Sequence, residues 1–203
     1  SPDGGQDQLQ REMGGRREIE RVYINSANFK NWAIPQALHP WVLVVDADER
    51  PSPKLIHQIK KVLASDPEYD GYQIRFATFF LGHRLRHSGT QTASSVRLFR
   101  KEVAQYSNMR VHADVLISTG NISRLRGRMG HYTCQCLNRF VQTYNRYTTW
   151  SALDMYDQGR RISFIGLLIR PPARFLQFYF LRLGFLDRTP GLLYCLLTAF
   201  YTL

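Results

Sequence analysis

Asp46 and Asp48 are the residues of this chain best placed to do chemistry. They close the run Trp41-Val42-Leu43-Val44-Val45-Asp46-Ala47-Asp48-Glu49-Arg50, in which five apolar residues lead straight into Asp-x-Asp. Such a run predicts a buried strand over 41–46 that ends where the core opens to water. Side chains alternate along a strand, so the two carboxylates are expected to point the same way. A carboxylate pair at the carboxyl end of a strand can hold a hard divalent cation, which in turn holds phosphate oxygens. The chemistry this suggests is the handling of a nucleoside diphosphate. Acids after a strand also serve as helix caps, but here Ser52-Pro53 supplies the cap and first position of the next helix. Leu55, Ile59, Val62 and Leu63 follow at helical spacing.

The elements that must position this pair follow from pattern. A helix is expected over 28–38, stopped by Pro40, and a second over 53–64, ended by Asp66-Pro67. A short strand is expected over 21–24, so the order reads β-α-β-α, the mark of an α/β sheet. Further strands are expected over 71–80, after the turn at Leu81-Gly82, over 95–100, over 110–118 and over 122–125. Residues 1–19 read as a polar loop or worn helix broken by Gly4, Gly5, Gly14 and Gly15. Leu137, Phe140, Val141, Tyr144 and Tyr147 mark a long amphipathic helix ending near Gly159. Residues 1–135 therefore read as one α/β domain and 136–203 as a helical, basic and aromatic segment.

Charge is unevenly spread along the 203 residues. The net charge is +11, and residues 117–203 hold eleven Arg and no Lys against three Asp and no Glu, so that stretch alone carries +8. Arginine set among aromatics suits anionic surfaces such as phospholipid head groups. No basic-aromatic platform of a nucleic-acid-binding module is present. In the tail, 162–169 is apolar, Arg170-Pro171-Pro172 is expected to break it, and 175–186 is aromatic-rich. No stretch is long and apolar enough for a transmembrane helix; the pattern suits either a helix lying in a bilayer interface or a helical lid packed on the domain. Cys134, Cys136 and Cys195 form neither a regular disulfide framework nor a zinc-ligand pair set, which fits a reducing compartment.

With these residues placed, the chain resembles the family 2 glycosyltransferases of the GT-A fold, close to the lipopolysaccharide core glucosyltransferases. The likeness rests on Lys30-Asn31-Trp32-Ala33, the strand into Asp46-Ala47-Asp48-Glu49-Arg50, Phe80-Leu81-Gly82-His83 and Arg86-His87-Ser88-Gly89. It continues through Arg97-Leu98-Phe99-Arg100, Val111-His112-Ala113-Asp114, Gly130-His131-Tyr132 and Gly184-Phe185-Leu186-Asp187 with Gly191. It implies an α/β, Rossmann-like GT-A sheet with flanking helices. The family's opening strand and acidic loop, which hold uracil and ribose, have no counterpart, so the domain is expected to be N-terminally truncated. A membrane-associating helical segment would follow it.

The resemblance implies an inverting, Mg²⁺- or Mn²⁺-dependent transfer of a sugar from a nucleotide-sugar donor to a lipid-linked glycan such as lipopolysaccharide core. The place would be the cytoplasmic face of a bacterial inner membrane, as a peripheral protein on an anionic surface. Asp48 is then the metal ligand, and Asp46 contacts ribose or a metal-bound water. Lys30 and Asn31 line the nucleotide side, and Arg97, with Arg100, faces a pyrophosphate or charged acceptor. Many relatives carry a Glu directly after the His, where Ala113 stands here; Asp114, the nearest carboxylate, is the candidate base in its place. His112 would position the acceptor or bind the metal, and His131 closes the site from the far side. Two other readings compete: a non-catalytic membrane-surface protein, and a phosphatase of the haloacid dehalogenase type. The latter wants Thr or Val two residues after the second Asp, where Arg50 stands.

Overall fold

A computed structural model describes residues 10–13, 16–111, 113–134, 136–161 and 163–202. The strands are β1 (Gln10–Met13), β2 (Arg16–Ile19), β3 (Trp41–Leu43), β4 (Glu49–Pro51), β5 (Gly71–Phe80), β6 (His83–Arg84), β7 (Ser94–Arg100), β8 (Ala104–Tyr106), β9 (Val115–Ile117) and β10 (Ile122–Cys134). The helices are α1 (Ser26–Ala33), α2 (Pro53–Ala64), α3 (Leu137–Asp157), α4 (Phe164–Leu176) and α5 (Arg188–Tyr201), with a π-helical turn at Gln177–Leu181.

The central sheet is mixed, in the order β3-β7-β5-β10-β4, with β6 added to β5. β5 and β10 run parallel; β3 with β7, β5 with β7, and β10 with β4 are antiparallel. β3 and β4 are thus opposite edges, although only residues 44–48 join them. Four strand spacings make roughly 19 Å on a flat sheet, and six extended residue steps reach at most about 20 Å. Part of that link is folded into a turn, closed by the Glu49 N–H on the Asp46 carbonyl at 2.9 Å. The sheet must therefore curl to bring its edges together, and residues 44–48 form the chord across its mouth.

Ser52 caps α2 as expected, its Oγ accepting from the Leu55 N–H at 3.2 Å. α2 presses Leu55 and Ile59 onto Tyr72, Ile74, Leu98, Leu125 and Met129 of the sheet. The contact is closest at Gly127 of β10, where an added Cβ would lie 2.5 Å from the Leu55 Cα. Gly127→Ala is expected to push α2 off the sheet and cost about 1–3 kcal/mol, the usual price of overpacking. Chemical denaturation checks this; a loss under about 0.5 kcal/mol would show that the helix moves freely.

Several expectations are corrected. β1 and β2 pair as antiparallel strands, not as a loop or worn helix, with Met13 opposite Arg16. Residues 1–9, 14 and 15 of the expected 1–19 segment lie outside the described residues; in the sequence, Gly14-Gly15 is a two-residue hairpin signal. Residues 21–24 form no strand; Val22 and Ile24 are 78% and 59% exposed, and no strand among the described residues pairs with the segment. The helix expected over 28–38 is α1, followed by a 3₁₀ turn at Ile34–Gln36, where Pro35 enters. The strand expected over 41–46 stops at Leu43. The strand expected over 110–118 shrinks to β9, because 107–114 is a loop closed by Ser107 N–H on the Asp114 carbonyl at 2.9 Å. β10 runs nine residues beyond the expected Leu125 end. Arg124, Arg126 and Arg128 hide a clean alternation whose inward residues are Leu125, Gly127 and Met129.

Arg170-Pro171-Pro172 does not break the tail: α4 passes through both prolines. The two prolines leave the carbonyls of Leu167 and Leu168 without helical donors. Both residues are half-exposed or exposed, so water can serve those carbonyls. The turn before α5 is fastened to the domain. Asp187 accepts from the backbone N–H groups of Arg86 and His87, each at 2.9 Å, and from the Ser88 hydroxyl at 3.0 Å. Phe80 packs edge-on against Phe140 of α3 and Tyr194 of α5, joining the helices to the end of β5.

Candidate active site on the chord

The chord carries Asp46 and Asp48 out of the strand, so strand alternation does not set their directions. Asp46 lies between two cations: Lys30 Nζ of α1 meets its Oδ1 at 2.8 Å, and Arg97 of β7 meets its Oδ2 at 3.1 Å. Burial pushes the Asp46 carboxyl up, but Lys30 and Arg97 outweigh it and leave the pKa below the ordinary value. Glu49 sits directly beneath, its side chain fully buried, in contact with the Arg97 guanidinium and accepting the Asp46 N–H at 3.0 Å. Burial dominates there and raises the Glu49 carboxyl despite those partners. The Tyr106 ring receives Lys30 Nζ at 5.2 Å from its centroid. Burial raises the Tyr106 hydroxyl to about 12.

Asp48 faces the other way, to β10. His131 Nε2 lies 3.3 Å from its Oδ2, and this hydrogen bond is the chief reason its pKa is lowered. The Tyr132 N–H also holds the Asp48 carbonyl at 2.9 Å. The side chain is 48% exposed. The remaining predicted residues are spread more widely. Asn31 bonds both backbone groups of Tyr106, donating to its carbonyl at 3.0 Å and accepting its N–H at 2.8 Å. Arg100 belongs to the opposite end of β7, stacked over Trp41 and paired with Asp70. Asp114 is exposed, on the loop closed by Ser107, and forms no ion pair among the described residues. His112 lies outside the described residues.

The chain therefore brings Lys30, Asp46 and Arg97 into one cluster, with Asp48 and His131 beside it. Sequence reasoning passed over Glu49 and Tyr106. Glu49 carried one available signal, being the third acid in four residues; nothing in the sequence marks Tyr106.

The donor set can be tested against a divalent cation. Asp46 has both oxygens engaged by cations, and no group of three or more His, Cys, Asp or Glu surrounds one point among the described residues. Asp48 and His131 form a half-exposed pair open to solvent. That suits Mg²⁺ or Mn²⁺ only in the mode in which one carboxylate shares the ion with phosphates and water.

Comparison with known proteins sharpens the reading. The lipopolysaccharide core biosynthesis glycosyltransferase LpsC of Rhizobium meliloti (strain 1021) is 27% identical over 182 residues, covering 85% of this chain and 67% of that protein. Uncharacterized glycosyltransferases of Rickettsia typhi and Rickettsia prowazekii are each 26% identical over 196 residues, covering 92% of this chain and 67% of theirs. The relatives are glycosyltransferases. No family model matches the chain. Likeness to glycosyltransferases thus extends over most of this chain, and the mixed α/β fold with its curled sheet agrees with it.

Proposed function

We propose that this chain is an inverting glycosyltransferase that moves a sugar from a nucleoside-diphosphate donor, a UDP-sugar, to a lipid-linked glycan such as lipopolysaccharide core. The observation that carries the proposal is Asp46-x-Asp48 on the chord, with His131 and two cations around it, in a chain whose relatives are glycosyltransferases. Asp48 and His131 would hold Mg²⁺ or Mn²⁺, which supplies charge neutralisation for the departing diphosphate. Lys30 and Arg97 fix the Asp46 carboxylate, which then orients the donor's ribose. Asp114, exposed and unpaired, takes the proton from the acceptor hydroxyl as that oxygen attacks the anomeric carbon.

The tail supports an acceptor at a membrane. Phe164, Ile165, Leu168 and Ile169 of α4 are 74%, 69%, 58% and 58% exposed, and Leu181 is 79% exposed. Arg160, Arg161, Arg170, Arg174 and Arg182 flank them, and no acid occurs from 158 to 186. No helix among the described residues is long and apolar enough to cross a membrane. An in-plane helix on the anionic cytoplasmic face of a bacterial inner membrane fits this arrangement.

Calorimetry with UDP, with Mn²⁺ or with chelator, tests the donor site, and sedimentation with vesicles containing anionic lipid tests the surface. Metal-dependent UDP binding together with vesicle binding is expected. Vesicle binding with no UDP affinity would favour the non-catalytic membrane-surface reading, which the same exposed face supports.

A further inference from the structure

Beside the Asp48–His131 pair lies a cleft of about 270 Å³ that the donor reading leaves unused. Phe76 joins the two places. It lines the cleft, its ring packs 5.5 Å from that of His131, and the Arg97 guanidinium sits 5.3 Å over it. Arg84, Arg86 and Arg128 also line the cleft. None of the three forms an ion pair among the described residues, and no carboxylate lines the cleft. Arg128 Nη1 reaches the Phe76 carbonyl at 3.5 Å, and the three guanidiniums, without a carboxylate partner among the described residues, concentrate anions in the concavity; their planar forks suit two-oxygen contacts with phosphate or carboxylate. Gln91 lines the same cleft, and its Oε1 is buried with no hydrogen-bond partner among the described residues. A turn of this side chain toward the cleft would give that oxygen a donor, such as a sugar hydroxyl. The backbone of Arg86 is held by Asp187, so the loop that presents this side chain is fixed.

We infer that Arg84, Arg86, Arg128 and Gln91 form a subsite for an acidic sugar: the guanidiniums take its phosphate or carboxylate and Gln91 takes a hydroxyl. That this sugar belongs to the acceptor rests on the glycosyl-transfer reading; the anion site itself does not. The subsite would select phosphorylated or acidic glycans and hold one beside the chord.

The test titrates the full chain with glucose 6-phosphate, glucuronate and glucose, and separately with UDP and Mn²⁺. One or both anionic sugars should bind, with glucose much weaker. Which of the two binds identifies phosphate or carboxylate as the group recognised. Arg86→Gln combined with Arg128→Gln should weaken that binding about tenfold or more, as expected for lost charge-assisted hydrogen bonds. Lys60→Gln on the exposed side of α2 should leave it unchanged. Arg86→Lys, which keeps charge and loses the fork, should give an intermediate loss even if the double variant proves unstable. Equal binding by all variants, or binding of neither anion, overturns the subsite. Competition between UDP and the anionic sugar overturns its assignment to the acceptor. Absence of UDP binding with retained sugar binding overturns the transfer reading and leaves the subsite standing.

Discussion

Asp48→Ala is expected to abolish divalent-dependent donor hydrolysis, lowering its rate by roughly 10²–10³-fold, the size typical of losing one preorganised charge-stabilising group. The loss should fall on turnover and on metal-dependent UDP binding together if Asp48, half-exposed on the chord, holds the cation as proposed. The fold should survive. The Asp48 carbonyl, which receives the Tyr132 N–H, is backbone and remains, and only a partly exposed contact with His131 goes. Thermal melting within a few degrees of the parent confirms that survival. Unchanged donor hydrolysis would remove Asp48 from the metal role. A matching loss in Asp46→Asn is expected to carry a stability defect as well, since Lys30 and Arg97 then face each other with one anion fewer.

Arg97→Met should destabilise the protein by about 3–5 kcal/mol, the cost of stranding a buried charge. The Glu49 side chain is fully buried, and Arg97 is its cationic partner and is itself 11% exposed. The pH dependence separates this cause from simple loss of packing. In the parent, Asp46 and Asp48 have lowered pKa values. Their contribution is present above the ordinary carboxylate pKa and lost as pH falls through the lowered ones. Glu49 has the opposite sign: its raised value means the charged form costs stability as pH rises, and it takes a proton first on acidification. Removing Arg97 raises it further. The deficit of Arg97→Met should therefore be full at neutral pH and shrink as Glu49 is protonated in mild acid. Denaturation midpoints at several pH values check this. A deficit that does not change with pH would mean that the aromatic packing over Phe76, not the charge, is what Arg97 supplies.

Much of the frame was legible because local signals agreed with one another. Ser52 and Pro53 fixed the start of α2, and of its apolar positions at helical spacing Leu55, Ile59 and Val62 pack on the sheet while Leu63 stays exposed. The strand over 71–80 and the helix from 137 likewise carried their own periodicity. What stayed hidden depends on contacts far apart in sequence. Arg97 and Asp46 meet because β7 pairs with β3, which no spacing reveals. Asn31 reaches the Tyr106 backbone across 75 positions. The full length of β10 is hidden because its outward arginines dominate composition while its inward Leu125, Gly127 and Met129 are too few to stand out. The continuity of α4 is hidden because proline is hostile to helix interiors in general; at this surface water relieves the freed carbonyls. The carboxylate pair is legible in the sequence, but its directions are not, since a turn and not strand alternation sets where Asp46 and Asp48 point.

The chord has a mechanical consequence. It ties the two outermost strands of the central sheet as a string ties the tips of a bow, so the sheet's curvature and the position of its carboxylates are one variable. A ligand that fastens Asp46 and Asp48 would restrain β3 and β4 at the same time, although they lie at opposite edges. Amide hydrogen exchange would then slow at both edges on binding, with the strands between them least altered.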